Sequence, residues 1–514
     1  MGSGKTTVGE VLARLLGWPL IDTDLEIGLR AGRSILQIFT RDGEAFFRKL
    51  EREVAEDLRN SGTAVIATGG GMLIDPRNRE FLSEGSLLVH LRASPETLAK
   101  RLYGTTDRPL LAGGNAVELL REIYRQRADV YEDFPVQVET DGRPKEAVAQ
   151  EILVQLFREE APLHRGRFRV HHGLGAAQAV PDLAAGAGIT SSLLVLVDRN
   201  VWRRSGSWLE EKVLSPLRSA FAVETQILPV TERKKSLAGA QRLWEVLHRQ
   251  QAERTSGVVV VGGGVLTDLG AFAASTYKRG IRLMLVPTTL LAQIDAAIGG
   301  KTGVNFGGAK NQIGTFYLAQ ETVLDPLFLL TLPVREFRSG LAEMIKAAAV
   351  GDARFFAFLE ENMSALLRRR LDVLQEAVRR AAEIKIRIVE DDFREESGRR
   401  MLLNFGHTLG HAFEALSRYR LRHGEAVAIG MALAARLGAS LGRGDWEVSE
   451  RLEALLRQAG LPTRPPEFPR EQVLAKIAQD KKRRGGALNF VLLREIGSAE
   501  IVPVRPEEAV EAAL

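Results

Sequence analysis

Four consecutive valines, Val258 to Val261, run without a break into Gly262-Gly263-Gly264 and then into the helix-periodic stretch that contains Asp268. A continuous run of β-branched residues reads as a strand buried on both faces, the kind found in parallel sheets covered by helices. Glycines at its end let backbone N–H groups and the start of the next helix approach an anion such as a pyrophosphate. This single feature commits the chain to a parallel α/β core with ligands at the carboxyl ends of its strands. The turn is not G-x-G-x-x-G, and a tight ligand-free turn would read similarly, so the neighbouring strand ends matter. Asp198 and Asn200, after Leu193–Val197, can hold a ribose. Glu232 with Lys235, and Thr288-Thr289 after Leu283–Val286, supply further polar groups.

A second phosphate-binding signal opens the chain. In Gly2-Ser3-Gly4-Lys5-Thr6-Thr7, Gly4 permits close backbone approach, Lys5 offers a point charge to terminal phosphates, and Thr6 can ligate Mg²⁺. The helix predicted over Thr7–Leu16 would direct its positive end at the same anion. Asp22 and Asp24 project from the end of a short strand, Leu20–Asp22, and suit Mg²⁺ and a substrate hydroxyl. Arg48 and Glu51 stand one helical turn apart, Gly69-Gly70-Gly71 follows the strand Ala64–Ala67, Arg108 sits in a loop and Arg127 on a helix.

Between these signals the organisation is tripartite. Residues 1–157 alternate strands (a third at Leu87–Leu91) with helices, 158–167 read as a linker, 168–331 form a second α/β part, and 332–514 turn mostly helical. The helices are predicted over Phe355–Leu367, Leu371–Val389, Leu403–Leu416 and Glu425–Leu441. Only Asn489–Leu493 and Glu500–Val502 read as extended there. The 514 residues include no cysteine, which excludes thiolate metal sites and disulfides and suits a reducing, cytoplasmic setting. No apolar run reaches membrane-spanning length. The net charge of +5 comes from basic residues dispersed among acids, so nucleic acid and membranes are not expected partners and small phosphorylated molecules are.

Three of the eight histidines fall between His407 and His423. His407 and His411 lie one turn apart on a helix, a spacing suited to Zn²⁺, and by spacing alone they are the favoured pair. His423 opens another helix, and Glu343 is a candidate carboxylate.

Residues 1 to about 156 resemble the shikimate kinase family. The resemblance implies that Lys5 and Thr6 bind ATP and Mg²⁺, that Asp24, Arg48, Gly70, Gly71 and Arg127 grip shikimate, that Arg108 closes from a lid, and that Arg101 stacks on adenine. The implied reaction is phosphoryl transfer to the 3-hydroxyl, catalysed by positioning and charge neutralisation. Met1 falls inside the loop, so the expected sheet lacks its first, central strand; a natural start upstream is expected, and otherwise a weak or ligand-binding kinase half.

From about 168 onward, Gly262–Asp268, Pro287–Asp295, Gly299–Asn305, Lys310-Asn311, Asn404–His411 and His423–Val427 together resemble 3-dehydroquinate synthase. The resemblance implies Glu343, His407 and His423 as ligands of Zn²⁺ or Co²⁺, and reassigns His411 to substrate phosphate and proton transfer. NAD⁺ contacts, Lys310 included, and substrate contacts at Asp295, Lys301, Asn311, Lys346, Lys385, Arg400 and Asn404 follow from it. Arg279 would reach in from a second subunit, implying a homodimer. The segment Asp392–Arg400 carries one residue more than the family's spacing; counting back from Arg400 makes Glu396 the proton-handling glutamate, counting from Lys385 makes it Glu395, and Glu396 is preferred. Of Lys481 and Lys482, the second is taken as a substrate contact. The implied chemistry converts 3-deoxy-D-arabino-heptulosonate 7-phosphate to 3-dehydroquinate and phosphate, with NAD⁺ taking and returning a hydride. Rival readings are a related sugar-phosphate cyclase or a metal-dependent polyol dehydrogenase, with a kinase half that only binds its ligand.

Overall fold

The structure is a computed structural model that describes residues 2–59, 63–83, 86–102, 116–156, 161–165, 169–418, 420–481 and 487–513. The chain divides into two compact units, 1–158 and 159–514. Among the described residues no helix is long and apolar enough to cross a membrane.

In the first unit α1 (Lys5–Leu16) leads to β1 (Leu20–Asp22), α2 (Thr23–Ala31), α3 (Gly43–Leu58), β2 (Val65–Ala67), β3 (Val89–Arg92), α4 (Ala116–Glu132) and β4 (Val136–Glu139). Strands β1 and β2 pair in parallel, as do β3 and β4. Among the described residues β2 and β3 share no ladder. A cavity of about 620 Å³, lined by Val65 and Ala67 on one side and Val89 and Leu91 on the other, lies between the pairs. Among the described residues the two pairs stay separate, and β4 is a strand the sequence reading missed.

The second unit opens with β5 (Ala161–Arg165), in the stretch read as linker. It pairs antiparallel with β6 (Arg169–His172) and joins the sheet as an edge strand, so the linker expectation fails over those residues. The strands β7 (Ser192–Asp198), β8 (Ala222–Leu228), β9 (Gly257–Gly262) and β10 (Arg282–Pro287) follow, then the hairpin β11 (Lys301–Phe306) and β12 (Ala309–Phe316), then β13 (Glu321–Leu324). The sheet order is β5-β6-β13-β10-β9-β7-β8, parallel except at β5–β6. Strand β9 lies inside it with every residue buried, as the valine run requires, and its glycines open α5 (Gly264–Thr276).

Beyond the sheet stand α6 (Val334–Gly351), α7 (Leu371–Asp391), α8 (His407–Leu416) and α9 (His423–Ser440), around a large apolar core. The predicted helix over Leu403–Leu416 is shorter: Arg399–Asn404 form a 3₁₀ turn, and Gly406 at φ 77 breaks the chain before α8. The hairpin Leu488–Glu495/Ser498–Val504 matches the two predicted extended segments.

Helices α8 and α9 touch backbone to backbone. A Cβ on Gly430 would lie 1.8 Å from the Gly406 carbonyl oxygen, and one on Gly410 2.8 Å from that of Ala426. Alanine at 430 should improve helix propensity by about 1 kcal/mol, yet it would push the two helices apart. Gly430→Ala is therefore expected to destabilise the second unit by about 1–3 kcal/mol, seen as a lowered unfolding midpoint in calorimetry. A raised midpoint would mean that the helices are not in backbone contact.

Candidate active sites

In the first unit Gly4 adopts a left-handed φ of 89, which turns the loop beneath the first residues of α1, Lys5 and Thr6. The Thr6 hydroxyl donates to Asp22 Oδ2 at 2.7 Å. Asp22 also caps α2, its Oδ1 accepting from the Asp24 backbone N–H at 3.0 Å. Gly4, Lys5, Thr6, Asp22, Asp24 and Arg101 all line one cavity of about 470 Å³. Arg101 donates from both Nη atoms to Thr140 rather than standing free.

The glycine run after β2 forms the opposing wall. A Cβ on Gly69 would lie 2.4 Å from Asp24 Oδ1, and one on Gly71 2.9 Å from Arg48 Nη1, so bare backbone is what admits both side chains. Arg48 donates to the buried Glu51 at 2.5 Å. Arg127 Nη1 and the Tyr131 hydroxyl both donate to the Gly70 carbonyl, at 2.8 and 2.9 Å. Gly69 and Tyr131 were not singled out as site residues from sequence; the triple glycine and the i, i+4 spacing from Arg127 were the available signals. Arg108 lies outside the described residues.

In the second unit a cavity of about 810 Å³ opens at the carboxyl ends of β7, β9 and β10. Asp198 and Asn200, Glu232 and Lys235, Gly263 and Gly264, Asp268, Thr288 and Thr289 all line it, and Gly262 closes β9 behind them. Gly263 faces Thr289 so closely that a Cβ would sit 2.8 Å from its methyl. Lys235 and Asp268 form an ion pair. Burial pushes the Asp268 carboxyl up to about 6, against the pull of Lys235. Lys310, Asn311 and His411 complete the far wall with Glu414 and His423.

Next to this cavity three segments distant in sequence converge. Glu343 of α6 has Oε1 at 3.0 Å from His423 Nε2 and 3.5 Å from His407 Nε2. One donor atom from each of the three lies within 4.8 Å of the others. The His407 Nδ1–H faces the Phe405 carbonyl at 3.2 Å, which leaves Nε2 as the lone-pair nitrogen aimed at the cluster. Burial would raise the Glu343 carboxyl, but Lys346, His407 and His423 hold it well below the usual carboxylate range. Burial likewise lowers His423, but Glu343 and Glu414 overcome it and push the imidazole up to about 9. A carboxylate and two imidazoles are a zinc-type donor set. The spacing-favoured pair, His407 with His411, is replaced: the His411 ring stands edge-on to His407 and groups instead with Glu414 and His423. Helical spacing could not reveal that α9 supplies the imidazole that, at 3.0 Å, lies against Glu343.

Behind the cluster lies a cationic wall. Lys346 pairs with Glu343, and Lys385 pairs with Asp295. Burial raises the Asp295 carboxyl, but Lys385 and Lys346 outweigh it and lower it. Arg400 donates to the carbonyls of Phe393 (2.8 Å) and Gly299 (3.1 Å). Lys301 pairs with Glu395, whose Oε1 is also 3.7 Å from Arg400 Nε. This geometry sets Glu395, not Glu396, against Lys301 and Arg400. Glu395, at φ 60, turns its carboxylate back onto the two cations, while Glu396, exposed as Glu395 is, has its backbone N–H donating to Asp392 Oδ1. Asn404 is exposed at the end of its 3₁₀ turn, Arg279 is exposed at φ 64 and is not among the lining residues, and Lys482 lies outside the described residues.

Comparison with known proteins gives a consistent set of matches. A family model described as shikimate kinase matches residues 1–157; models described as 3-dehydroquinate synthase N-terminal and C-terminal match 225–339 and 340–483. A bifunctional shikimate kinase/3-dehydroquinate synthase from Thermotoga maritima is 34% identical over 514 residues, covering 99% of this chain and 98% of that protein. A 3-dehydroquinate synthase from Caldanaerobacter subterraneus subsp. tengcongensis is 39% identical, covering 70% of this chain and 99% of its own length. The solved 2-epi-5-epi-valiolone synthase of Streptomyces hygroscopicus subsp. jinggangensis, with NAD⁺ and Zn²⁺ bound, is 32% identical with a TM-score of 0.62, covering 69% of this chain and 97% of that one.

The Lys235–Asp268 pair offers a test of the second cavity. Lys235→Met leaves the half-buried Asp268 carboxylate without its partner and is expected to cost about 1–3 kcal/mol of stability. Adding Asp268→Leu should recover most of that in thermal unfolding. A double variant no more stable than Lys235→Met alone would rule the pairing out.

Proposed function

The chain belongs to the bifunctional shikimate kinase/3-dehydroquinate synthase family, and from that premise we propose how its two sites divide the chemistry. Its activities are phosphorylation of shikimate by ATP and conversion of 3-deoxy-D-arabino-heptulosonate 7-phosphate to 3-dehydroquinate and phosphate. The observation that carries the synthase site is the convergence of Glu343, His407 and His423 beside the 810 Å³ cavity.

These three residues would hold Zn²⁺ or Co²⁺, and the glycine turn with Asp198, Asn200, Glu232, Lys235, Asp268, Thr288, Thr289 and Lys310 would hold NAD⁺. When bound, the ion lowers the pKa of a substrate hydroxyl and the nicotinamide takes and returns a hydride. The remaining work falls to the chain's own groups. Lys346, Lys385 and Arg400, all three buried, neutralise the substrate's carboxylate and phosphate. Asp295 keeps Lys385 oriented, and Asn311 and Asn404 supply amide contacts. His411, on the cavity wall, is placed to move a proton near the departing phosphate, and Glu395 to accept one beside Lys301. The cationic wall favours a phosphorylated acid over the plain polyol of a dehydrogenase.

In the kinase half Lys5 neutralises the transferring phosphoryl group and Gly4 brings backbone N–H groups to it. Thr6 and Asp22, already hydrogen-bonded, would share Mg²⁺. Asp24 accepts from the shikimate hydroxyl, Arg48 and Arg127 bind its carboxylate against Gly70 and Gly71, and Arg101 covers the nucleotide. We place the chain in the cytoplasm as a homodimer formed through the synthase half, supported by the absence of cysteine, the exposed Arg279 and the exposed aromatic residues Phe306 and Phe316.

Phosphate release from the heptulosonate phosphate should require NAD⁺ and should stop on chelation, returning with added Zn²⁺ or Co²⁺. Glu343→Ala should abolish it. Undiminished release in that variant would overturn the metal assignment, and net NADH accumulation with a polyol would favour the dehydrogenase reading. Shikimate-dependent ADP formation should fall on the order of 10²-fold or more in Lys5→Met; an unchanged rate would remove Lys5 from the phosphate site.

A further inference from the structure

We infer that Glu414 is a positioning residue that sets the imidazole of His423 for the metal and ties it to Lys310 of the cofactor cavity. The inference rests on the metal reading above and extends it to a buried carboxylate that neither the sequence reading nor the proposed chemistry uses.

Glu414 lies on α8, two turns beyond His407 and one turn beyond His411, so the three share a face of that helix. It is 6% exposed. A buried carboxylate is costly unless charges or hydrogen bonds compensate it, and Glu414 has two such neighbours from different segments. Its Oε1 is 2.7 Å from Lys310 Nζ on β12, and its Oε2 is 3.7 Å from His423 Nδ1 on α9. The two nitrogens of His423 are thereby divided: Nε2 faces Glu343 at 3.0 Å and Nδ1 faces Glu414.

That division is what a metal ligand needs. An imidazole can give its Nε2 lone pair to an ion only if its remaining proton sits on Nδ1, and a carboxylate facing Nδ1 selects that tautomer and fixes the ring plane. His407 has its corresponding partner in the Phe405 carbonyl. Glu414 is the acceptor that faces the corresponding nitrogen of His423, at 3.7 Å. Its position is rigid, because the glycine contacts between α8 and α9 fix the two helices at backbone distance. The same carboxylate holds Lys310, so one group connects the metal ligand to the wall of the nucleotide cavity.

The test is metal affinity of the full chain, measured by competition with a chromophoric chelator for Zn²⁺, with unfolding midpoints recorded alongside. The parent should bind one ion at this site and Glu343→Ala should not. Glu414→Ala should bind about 10–100-fold more weakly while keeping a parental unfolding midpoint. Glu414→Gln retains an oxygen that can accept from the Nδ1–H, and it should stay near the parent. Parental affinity in a folded Glu414→Ala overturns the inference but leaves the metal reading intact. Equal losses in the alanine and glutamine variants also overturn it, because the loss would then not be that of an acceptor. A parent that binds no zinc removes the metal reading and the inference together.

Discussion

A carboxylate with 1% of its side chain exposed, as at Glu343, stays ionised only if its surroundings supply compensating charge or hydrogen bonds. Glu343 draws that compensation from Lys346 one turn along its own helix and from two imidazoles on other helices. The requirement organises the second unit. Helix α6 must present its carboxylate to the junction of α8 and α9, and those helices must approach closely enough for His407 and His423 to face the same oxygen. The glycines at 406, 410 and 430 make that approach sterically possible. Gly424 does the same between α9 and α6, where a Cβ would fall 2.1 Å from the Ser339 carbonyl oxygen. Removing the carboxylate would leave a buried lysine without its closest partner, so the site and the packing of the helices are a single problem.

Beyond that cluster the second unit is a set of opposite charges held in place before any ligand arrives. Asp295 with Lys385, Asp268 with Lys235, and Glu395 with Lys301 keep cations at defined positions inside or beside the cavity. Preformed cations need little reorganisation when an anionic substrate enters, which is where electrostatic catalysis gains most. In the first unit backbone does the equivalent work: the Gly70 carbonyl positions Arg127, and the bare turn at Gly69–Gly71 admits Asp24 and Arg48.

What could be read from sequence followed the physics of each signal. The valine run and its glycine turn identified a central buried strand because hydrophobicity and glycine act locally. The edge strands β5 and β8 were missed, since an edge strand is half solvated and carries no continuous apolar run; β8 reads Ala222-Val-Glu-Thr-Gln-Ile-Leu228. The grouping of Glu343, His407 and His423 was visible only through resemblance, because i, i+4 spacing favours His411 over a histidine sixteen residues from His407. That Glu395 rather than Glu396 meets Lys301 turns on a single left-handed residue, which counting cannot detect. Glu414 and Tyr131 escaped because each acts through a partner distant in sequence.

The most direct test of the account is anomalous diffraction at the zinc edge from crystals of the full chain grown with Zn²⁺ and NAD⁺. A single strong peak bounded by Glu343 Oε1, His407 Nε2 and His423 Nε2 is the predicted result. A peak held by His411 and Glu414 instead, with Glu343 still paired only to Lys346, would contradict it.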